Sequence, residues 1–301
     1  MSLRISRDQN FYHFNPNIEP VAFVKPGEEI ILETHDCFQG QIRNEKDLVA
    51  NLDWNHTNPA TGPIFINGTY PSTILRIDIL DIDVDDQSVM VTIPGEGTVG
   101  NRIKDMETTI VKRQGNELVY KENIRLPLAP MIGVIGVAPS EGSIGNGVPG
   151  LHGGNMDCTL IKKGARLYLT VQVEGALLGL GDLHAVMGDG EIVAVGAETA
   201  GNAKIKTETV DLTGLPTPFL ENTESVVTIF SDPDMNRASE GAVNNMLDFL
   251  TRFAGLSTND AAMLMSAAGS LRVCQVVDPA KTVRFEFPKA VLAQIGYQLP
   301  E

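Results

Sequence analysis

The chain of 301 residues is acidic, with 38 Asp and Glu residues against 23 Lys and Arg and a formal net charge of −15 at pH 7. This charge argues against nucleic acid and anionic membranes as partners, because both repel an acidic surface. A hydrophobic content of 43% describes a globular chain that can bury a sizeable core.

The cysteines and the N-terminal residues predict a cytoplasmic protein. Cys37, Cys158 and Cys274 are odd in number and form no CxxC pair, which is typical of a reducing compartment. No apolar segment follows Met1, so we expect no secretory signal. No apolar run is long enough to cross a bilayer.

Residues 1–230 alternate between β-branched segments and turns rich in Gly and Pro, a pattern that predicts strands. The predicted strands are Ile30–Leu32, Thr73–Ile79, Val89–Ile93, Met131–Val137, Arg166–Val173 and Ile192–Val195. Regular turns between such strands indicate a mainly β fold, either a β-sandwich or a jelly-roll-like architecture.

The composition changes near residue 231. Apolar residues recur at three- and four-residue steps over 239–253, which predicts a helix. Ser257 is predicted to cap a second helix that ends at Gly269, and Pro288 to open a short third helix after strands over 271–277 and 283–287. We therefore expect a β-rich domain over 1–230 that carries the site motifs, and a smaller α+β portion over 231–301 packed on it.

The segment 179–191 concentrates acidic residues and one of the five histidines between two apolar runs. Asp182 and His184 lie two residues apart, so on a strand both side chains point to one face. Asp189-Gly190 is typical of a hairpin turn, which would return Glu191 to that same face, although a slip of one residue would reverse it. Carboxylates and an imidazole on one face are the groups of a metal-assisted hydrolase.

A second polar cluster, His35-Asp36-Cys37, follows the predicted strand over 30–32. Asp36 is either a metal ligand or a carboxylate that caps a turn, and the sequence leaves both open. Cys37 beside a histidine suggests a Cys–His nucleophile, but adjacent residues on a strand point to opposite faces. A packed, inert thiol is the favoured interpretation of Cys37, because free cysteines are commonly buried.

Two loops complete the set of candidate segments. A Gly-rich loop over 141–149 leads into the segment 152–157, and long loops of this kind are often functional and bring backbone amides close to a ligand. Taken singly, His152 and Asp157 are also explained as loop and turn residues. The segment 55–63 has turn chemistry and is either a plain turn or a lid or specificity loop.

Four motifs, in this order, resemble the acetamidase/formamidase family: THDCFxGQI at 34–42, NPATGPIF at 58–65, HGGNMD at 152–157 and GDLHAxxGDGE at 181–191. The resemblance covers nearly the whole chain. It implies an elaborated β-sandwich that hydrolyses short primary amides to a carboxylate and ammonia. The GxSxG, P-loop, SxxK and HExxH motifs of other enzyme classes do not occur.

Hydrolysis of a primary amide needs an activated water, a stabilised oxyanion and a protonated leaving nitrogen, and a divalent metal supplies the first two. The predicted metal ligands are Asp36, Asp182, His184 and Asp157. Zinc is expected first because the set mixes imidazole and carboxylate, with calcium as the alternative. Glu191, as general base, and His152 are the predicted catalytic residues. Asn155 and the backbone amides of Gly153 and Gly154 would hold the substrate.

Two alternatives stay open. One is a non-catalytic β-sandwich binding protein with a structural calcium site, and the other is a metal-free cysteine amidase that uses Cys37. Gly-rich loops around a polar site predict little room, so we expect substrates no larger than propionamide. The expected partners are a small amide and further copies of the chain in a homo-oligomer, a dimer, with no nucleic acid and no membrane.

Overall fold

The computed structural model describes residues 2–299, and their core lies between two β-sheets. Within those residues the strands are β1 Leu3–Ile5, β2 Asn10–Phe11, β3 His13–Phe14, β4 Ala22–Val24, β5 Glu29–Thr34, β6 Ala60–Ile66, β7 Ile74–Val84, β8 Gln87–Thr92, β9 Glu107–Gln114, β10 Glu117–Tyr120, β11 Ile124–Pro127, β12 Met131–Gly136, β13 Ile144–Gly145, β14 Gly153–Asn155, β15 Arg166–Thr170, β16 Leu178–His184, β17 Glu198–Thr199, β18 Gly201–Val210, β19 Phe219–Glu221, β20 Ser225–Asp232, β21 Ser270–Gln275 and β22 Lys281–Pro288. The α-helices are α1 Met235–Arg252, α2 Thr258–Ala268 and α3 Lys289–Gln294, and short 3₁₀ helices cover Val49–Asn51, Trp54–His56 and Gly100–Arg102. The prediction of a mainly β fold with a smaller helical part near the C-terminus is confirmed.

The first sheet runs in the order β1-β5-β18-β7-β15-β19-β20-β22-β21. Its neighbouring strands pair antiparallel, apart from the parallel pair β1 and β5. The sheet continues without a break across residue 230 into β22 and β21. The division into two domains at that residue stays a prediction.

In the second sheet, β16 pairs with β17, β12 and β6. Every residue of β16 is buried. Side chains from both sheets, such as Ile30 and Leu75 in the first and Ile132 and Leu180 in the second, form one hydrophobic cluster. Burial on both faces makes β16 a rigid support for the polar residues at its end.

The C-terminal helices pack against the first sheet. Helix α1 begins at Met235, earlier than predicted, because the side chain of Asp234 accepts hydrogen bonds from the amides of Asn236 and Arg237 at 2.9 and 3.0 Å. Its buried face contacts β20 and β22. Helix α2 is capped by Ser257 and ends at Gly269, as predicted. Among the described residues, no helix is long and apolar enough to cross a membrane.

The predicted strand over Ile192–Val195 is wrong. Asp189-Gly190 does form a tight turn, because the amide of Glu191 donates to the carbonyl of Gly188 at 3.3 Å, but the flanking residues do not pair as strands. Strand β16 pairs instead with β17, with His184 opposite Glu198, so residues 185–197 form a long connecting loop. The amide of Gly190 donates to the carbonyl of Cys274 at 2.7 Å, and Gly190 bridges in parallel to the strand residue Gln275. Because its backbone bonds to another strand, Gly190 cannot close a hairpin of its own.

Candidate active site

Buried and half-buried acidic residues from separate parts of the chain line a cavity of 660 Å³. Asp182 lies on β16, Glu198 on β17, Glu191 in the loop between them, and Asp278 in the turn after β21. Asp157 follows β14 and is fully buried beside them. The fold thus brings together residues that are far apart in sequence.

Two sets of side chains offer metal-ligating atoms within 4.8 Å of one another: Asp157, His184 and Glu191 form one set, and Cys37, Asp182 and Glu198 form the other. The imidazole of His184 links the two sets. Its Nε2 lies 2.8 Å from Glu198 Oε1 and 3.9 Å from Asp182 Oδ1, and its Nδ1 lies 3.8 Å from Asp157 Oδ1.

Gly133 of β12 leaves room for two of these carboxylates. A Cβ at this residue would lie 2.5 Å from both Asp157 Oδ1 and Asp182 Oδ2. Both oxygens therefore point at the same small volume. Within residues 2–299, neither oxygen of Asp157 nor Oε2 of Glu191 has a hydrogen-bond partner. Buried carboxylate oxygens without partners are costly, which indicates a bound proton or cation.

Three of the acids stand on strained backbone. Asp157, Asp182 and Glu191 have φ angles of +44°, +56° and +48°, in the left-handed region that side-chain-bearing residues seldom adopt. Such strain persists where the surrounding structure fixes the residue, and it is common at functional sites. The positions of these three carboxylates are therefore determined by the fold around them.

The electrostatics favour a positive charge among these groups. Burial, and then the neighbouring carboxylates, raise the pKa of Asp157 and Asp182 well above its usual range. Burial likewise raises the pKa of Glu191 to about 9 and that of Asp278 to about 7. Burial opposes the charged form of His184, but Glu198 and Asp182 outweigh it and raise its pKa to about 10. His184 and Glu198 thus form an ion pair. The other acids are then favoured in the ionised form only where a further positive charge offsets their own.

Asn155 is the one predicted substrate-binding residue that lines the cavity. Its Nδ2 donates to Asp278 Oδ2 at 2.9 Å, and its buried Oδ1 has no partner among the described residues. The sequence reasoning missed Asp278 and Glu198. An acidic residue directly after a predicted strand was the available signal for Asp278, whereas Glu198 becomes visible only once the pairing of β16 with β17 is known.

The structure gives Asp36 the contacts of a turn cap, and its role as a metal ligand stays a prediction. Oδ1 of Asp36 accepts hydrogen bonds from the amides of Phe38 and Gly40 at 2.9 and 3.0 Å. In the described part of the chain, Asp36 belongs to neither ligand set and does not line the cavity. Its side chain caps the turn that follows β5, which was the competing interpretation.

His152, Gly153 and Gly154 also lie away from the cavity lining in the described structure. The ring of His152 meets that of Phe14 edge-on with centroids 5.2 Å apart, and burial lowers the pKa of His152 to about 4. The amide of Gly153 donates to the carbonyl of Gly150. A Cβ on Gly153 would lie 2.2 Å from the carbonyl oxygen of Ile135, so close packing explains the absence of a side chain. The predicted catalytic and substrate-binding roles of these three residues are not supported by their positions.

The cavity is larger, and its lining more apolar, than the sequence suggested. Phe38, Val49 and Val91 form one wall. The segment predicted to be a lid or specificity loop lines the cavity through Asn55, Thr57 and Asn58. The expectation of a site with little room is therefore wrong.

Cys37 lies where the apolar wall meets the acids. Burial, and then the charges of Glu198 and Asp182, raise the pKa of its thiol well above the usual range. A thiol that stays protonated is a poor nucleophile. The groups around the thiol carry negative charge, whereas catalytic cysteines are activated by positively charged surroundings.

Comparison with known proteins places these features in a family. The model of the Acetamidase/Formamidase family matches residues 3–146 and 145–294. The chain is 28% identical over 255 residues to a formamidase of Methylophilus methylotrophus, an alignment that covers 64% of this chain and 62% of the relative. It is 26% identical over 253 residues to an acetamidase of Mycolicibacterium smegmatis, covering 62% of each. The chain thus spans less than two thirds of the length of these curated relatives.

Solved structures match over the full length. The crystal structure of an acetamidase from Bacillus halodurans has a TM-score of 0.96 and 42% identity, covering 98% of this chain and 100% of that chain. A predicted acetamidase/formamidase from Thermoanaerobacter tengcongensis gives a TM-score of 0.96 at 42% identity, covering 99% of each chain. A gamma lactamase from Delftia acidovorans, at 22% identity and a TM-score of 0.66 over 94% of this chain and 89% of that chain, shares the fold.

Proposed function

This chain belongs to the acetamidase/formamidase family, and we propose that it hydrolyses the C–N bond of short primary amides with the help of a divalent cation. The observation that carries the proposal is the convergence of Asp157, Asp182 and Glu191 beside a cavity that admits small molecules, which Asp182 and Glu191 line. The names of its relatives, formamidase and acetamidase, support the same chemistry.

The residues fit a divalent cation. Asp157 and Asp182 direct oxygens into the space that Gly133 leaves free, and the unpartnered oxygens of Asp157 have the bonding capacity that a cation uses. Asp157 and Asp182 would hold the ion. His184 would join them as a neutral imidazole, because the imidazolium that pairs with Glu198 has no free lone pair. Imidazole mixed with carboxylates favours zinc, since calcium prefers more oxygen ligands. When bound, the ion would lower the pKa of a water molecule and polarise the amide carbonyl.

Glu191 is the proton carrier in the proposed reaction. Its side chain lines the cavity, and its carboxylate lies within 4.8 Å of ligating atoms of Asp157 and His184. From this position it takes a proton from the attacking water and delivers one to the leaving nitrogen. Burial raises the pKa of Glu191 to about 9, which favours the protonated form that the second step requires. The charge of His184 lowers this pKa, as a bound cation would, and so favours the carboxylate that the first step requires.

Asn155 orients the amide group of the substrate. Because Asp278 holds its Nδ2, the side-chain oxygen is left to accept an N–H hydrogen of the substrate. Asp278 therefore acts as a positioning residue for Asn155. Together they distinguish the nitrogen end of a primary amide from its carbonyl end.

Neither alternative from the sequence is favoured. A cysteine amidase needs a thiolate, whereas the raised pKa of Cys37 keeps its thiol protonated. A non-catalytic protein with a structural calcium would use the same acids but would release no ammonia. Ammonia release therefore separates the proposal from the calcium-binding alternative.

The test is ammonia release from formamide and acetamide by the purified protein and by an Asp157→Asn variant. We expect turnover by the wild type and its loss in the variant, because the substitution removes a fully buried carboxyl group that can ionise to bind a cation. Asp211→Asn, at an exposed residue outside the cavity lining, serves as the matched control and is expected to keep activity. A folded wild type that releases no ammonia from either amide would contradict the proposal.

A further inference from the structure

The cavity is much larger than formamide or acetamide requires. Its volume is 660 Å³, whereas acetamide takes about the room of three water molecules, roughly 90 Å³ at about 30 Å³ per water. The acids line only one part of this cavity. The remaining volume has the size and partly apolar lining of a pocket that encloses a larger organic ligand.

One wall of the cavity is a continuous apolar surface. Phe38, Val49 and Val91 are buried members of one hydrophobic cluster, Ile93 packs against them, and all four line the cavity. Cys37 connects this wall to the acids, because it packs against the same cluster while its sulfur lies within 4.8 Å of oxygens of Asp182 and Glu198. An amide group held at the acids therefore projects its substituent onto the wall.

Trp54 gives the cavity a further apolar surface. It is the single tryptophan of the chain, lines the cavity and is 62% exposed. The short helix that carries it is held by Asp53, which accepts the amide of Asn55 at 3.0 Å and lies 2.6 Å from Nδ1 of His56. Gln41 donates to the carbonyl of His56 at 2.9 Å. An exposed indole on a fixed segment of a cavity is typical of a ligand contact.

From the size of the cavity and its apolar wall, we propose that the preferred substrate is a primary amide with an apolar body longer than that of acetamide. The amide group lies at the acids, and the body lies along Phe38, Val49, Val91 and Ile93, with Trp54 against it. This inference rests on the proposed amide hydrolysis and adds the class of substrate.

A polar body is the rival class. Asn58 and Asn146 also line the cavity, and within the described residues their buried side-chain oxygens have no partner. The Nδ2 of Asn146, however, donates to the carbonyls of Phe11 and Asn58 at 2.7 and 3.0 Å, so this amide already holds two loops together. Apolar atoms form the larger part of the cavity lining, which favours an apolar body.

The experiment measures kcat/KM by ammonia release for formamide, acetamide, butanamide and hexanamide. It adds N-acetylglycinamide, which matches hexanamide in non-hydrogen atoms but has a polar body. Burial of each methylene group raises kcat/KM about threefold to fourfold, so hexanamide is expected to exceed acetamide by on the order of 100-fold. N-acetylglycinamide is expected to fall at least tenfold below hexanamide.

Variants test whether the apolar side chains that line the cavity cause the preference for hexanamide over acetamide. Trp54→Ala is expected to reduce the ratio of hexanamide to acetamide kcat/KM at least fivefold. Tyr70→Ala, which removes another exposed aromatic side chain outside the cavity lining, is expected to leave the ratio as it is. In a Glu191→Gln protein, hexanamide should change the Trp54 fluorescence at lower concentrations than acetamide does.

The outcomes separate the preference for an apolar body from amide hydrolysis itself. Ammonia from acetamide with a flat or falling series overturns this inference and leaves amide hydrolysis standing. Faster turnover of N-acetylglycinamide than of hexanamide overturns the apolar body and supports the polar one. No ammonia from any amide overturns both the inference and the function on which it rests.

Discussion

Arg284 donates two hydrogen bonds to the carboxylate of Asp189, at 2.9 and 2.7 Å. Arg284 is buried on β22, and Asp189 lies two residues before Glu191. The next residue, Gly190, donates its amide to the carbonyl of Cys274. The ion pair therefore anchors the loop that carries Glu191 onto the C-terminal strands.

Arg284→Gln should lower both kcat and the free energy of unfolding. Removal of one partner from a largely buried ion pair costs about 2–4 kcal/mol, and the loop that carries Glu191 loses its anchor. Arg272→Gln is the matched control, because Arg272 lies opposite Arg284 in the sheet but is exposed; a change of about 0.5 kcal/mol or less is expected there. Urea unfolding and ammonia release measure the two quantities. Equal effects of the two substitutions would contradict the anchoring role.

Gly133→Ala should abolish cation binding and activity while the protein stays folded. The new Cβ would stand 2.5 Å from both Asp157 Oδ1 and Asp182 Oδ2, so the two oxygens must separate. Overpacking at such a residue costs about 1–3 kcal/mol of stability. Gly188→Ala is the control, since a Cβ there meets nothing within 4 Å. Metal content and circular dichroism are the readouts, and a variant with normal metal content and activity would refute the shared cation position.

Glu191→Gln should keep the fold and the cation but reduce kcat by about two to four orders of magnitude, the usual range for loss of a general acid–base group. Glu96→Gln tests the specificity of this effect, because Glu96 also lines the cavity but is exposed. We expect the control to keep most of its kcat. If Glu191→Gln is nearly silent, the proton carrier is another residue, and Asp278 is the next acid to test.

Cys37→Ser should retain substantial turnover. The hydroxyl replaces a protonated thiol of similar size at the junction between the apolar wall and the acids. The measurement is kcat for acetamide, together with the response of the wild type to a thiol-alkylating reagent. Complete loss of activity in Cys37→Ser would favour the cysteine amidase.

Much of the fold was predictable because it depends on local patterns. Alternating β-branched segments indicated strands such as β7, β12 and β22, although not the long strands β9, β18 and β20. Ser257 with Gly269 marked the ends of α2. The strand that the Asp189-Gly190 turn joins was not predictable, since the backbone of Gly190 bonds to Cys274, 84 positions further along the chain. Contacts of this kind depend on the tertiary fold rather than on turn propensity.

Part of the acidic site was predictable, because it also depends on a local pattern in the sequence. Asp182 and His184 follow from the two-residue period of a strand, and the structure brings Asp157 and Glu191 to them. Asp36 carried an equally suggestive motif, but its oxygen caps a turn. Glu198 and Asp278 reach the site through strand pairing and a distant turn, which no local pattern encodes. The dimeric assembly and the cytoplasmic location stay predictions.

The central claim is that a divalent cation at Asp157, Asp182 and His184 supports amide hydrolysis. One preparation should be assayed for ammonia release from acetamide three times: as purified, after chelation, and after Zn²⁺ or Ca²⁺ is added back. Elemental analysis accompanies each assay. Under this claim, activity falls in proportion to metal content and returns with Zn²⁺. Full activity in a sample shown to be free of metal would contradict it.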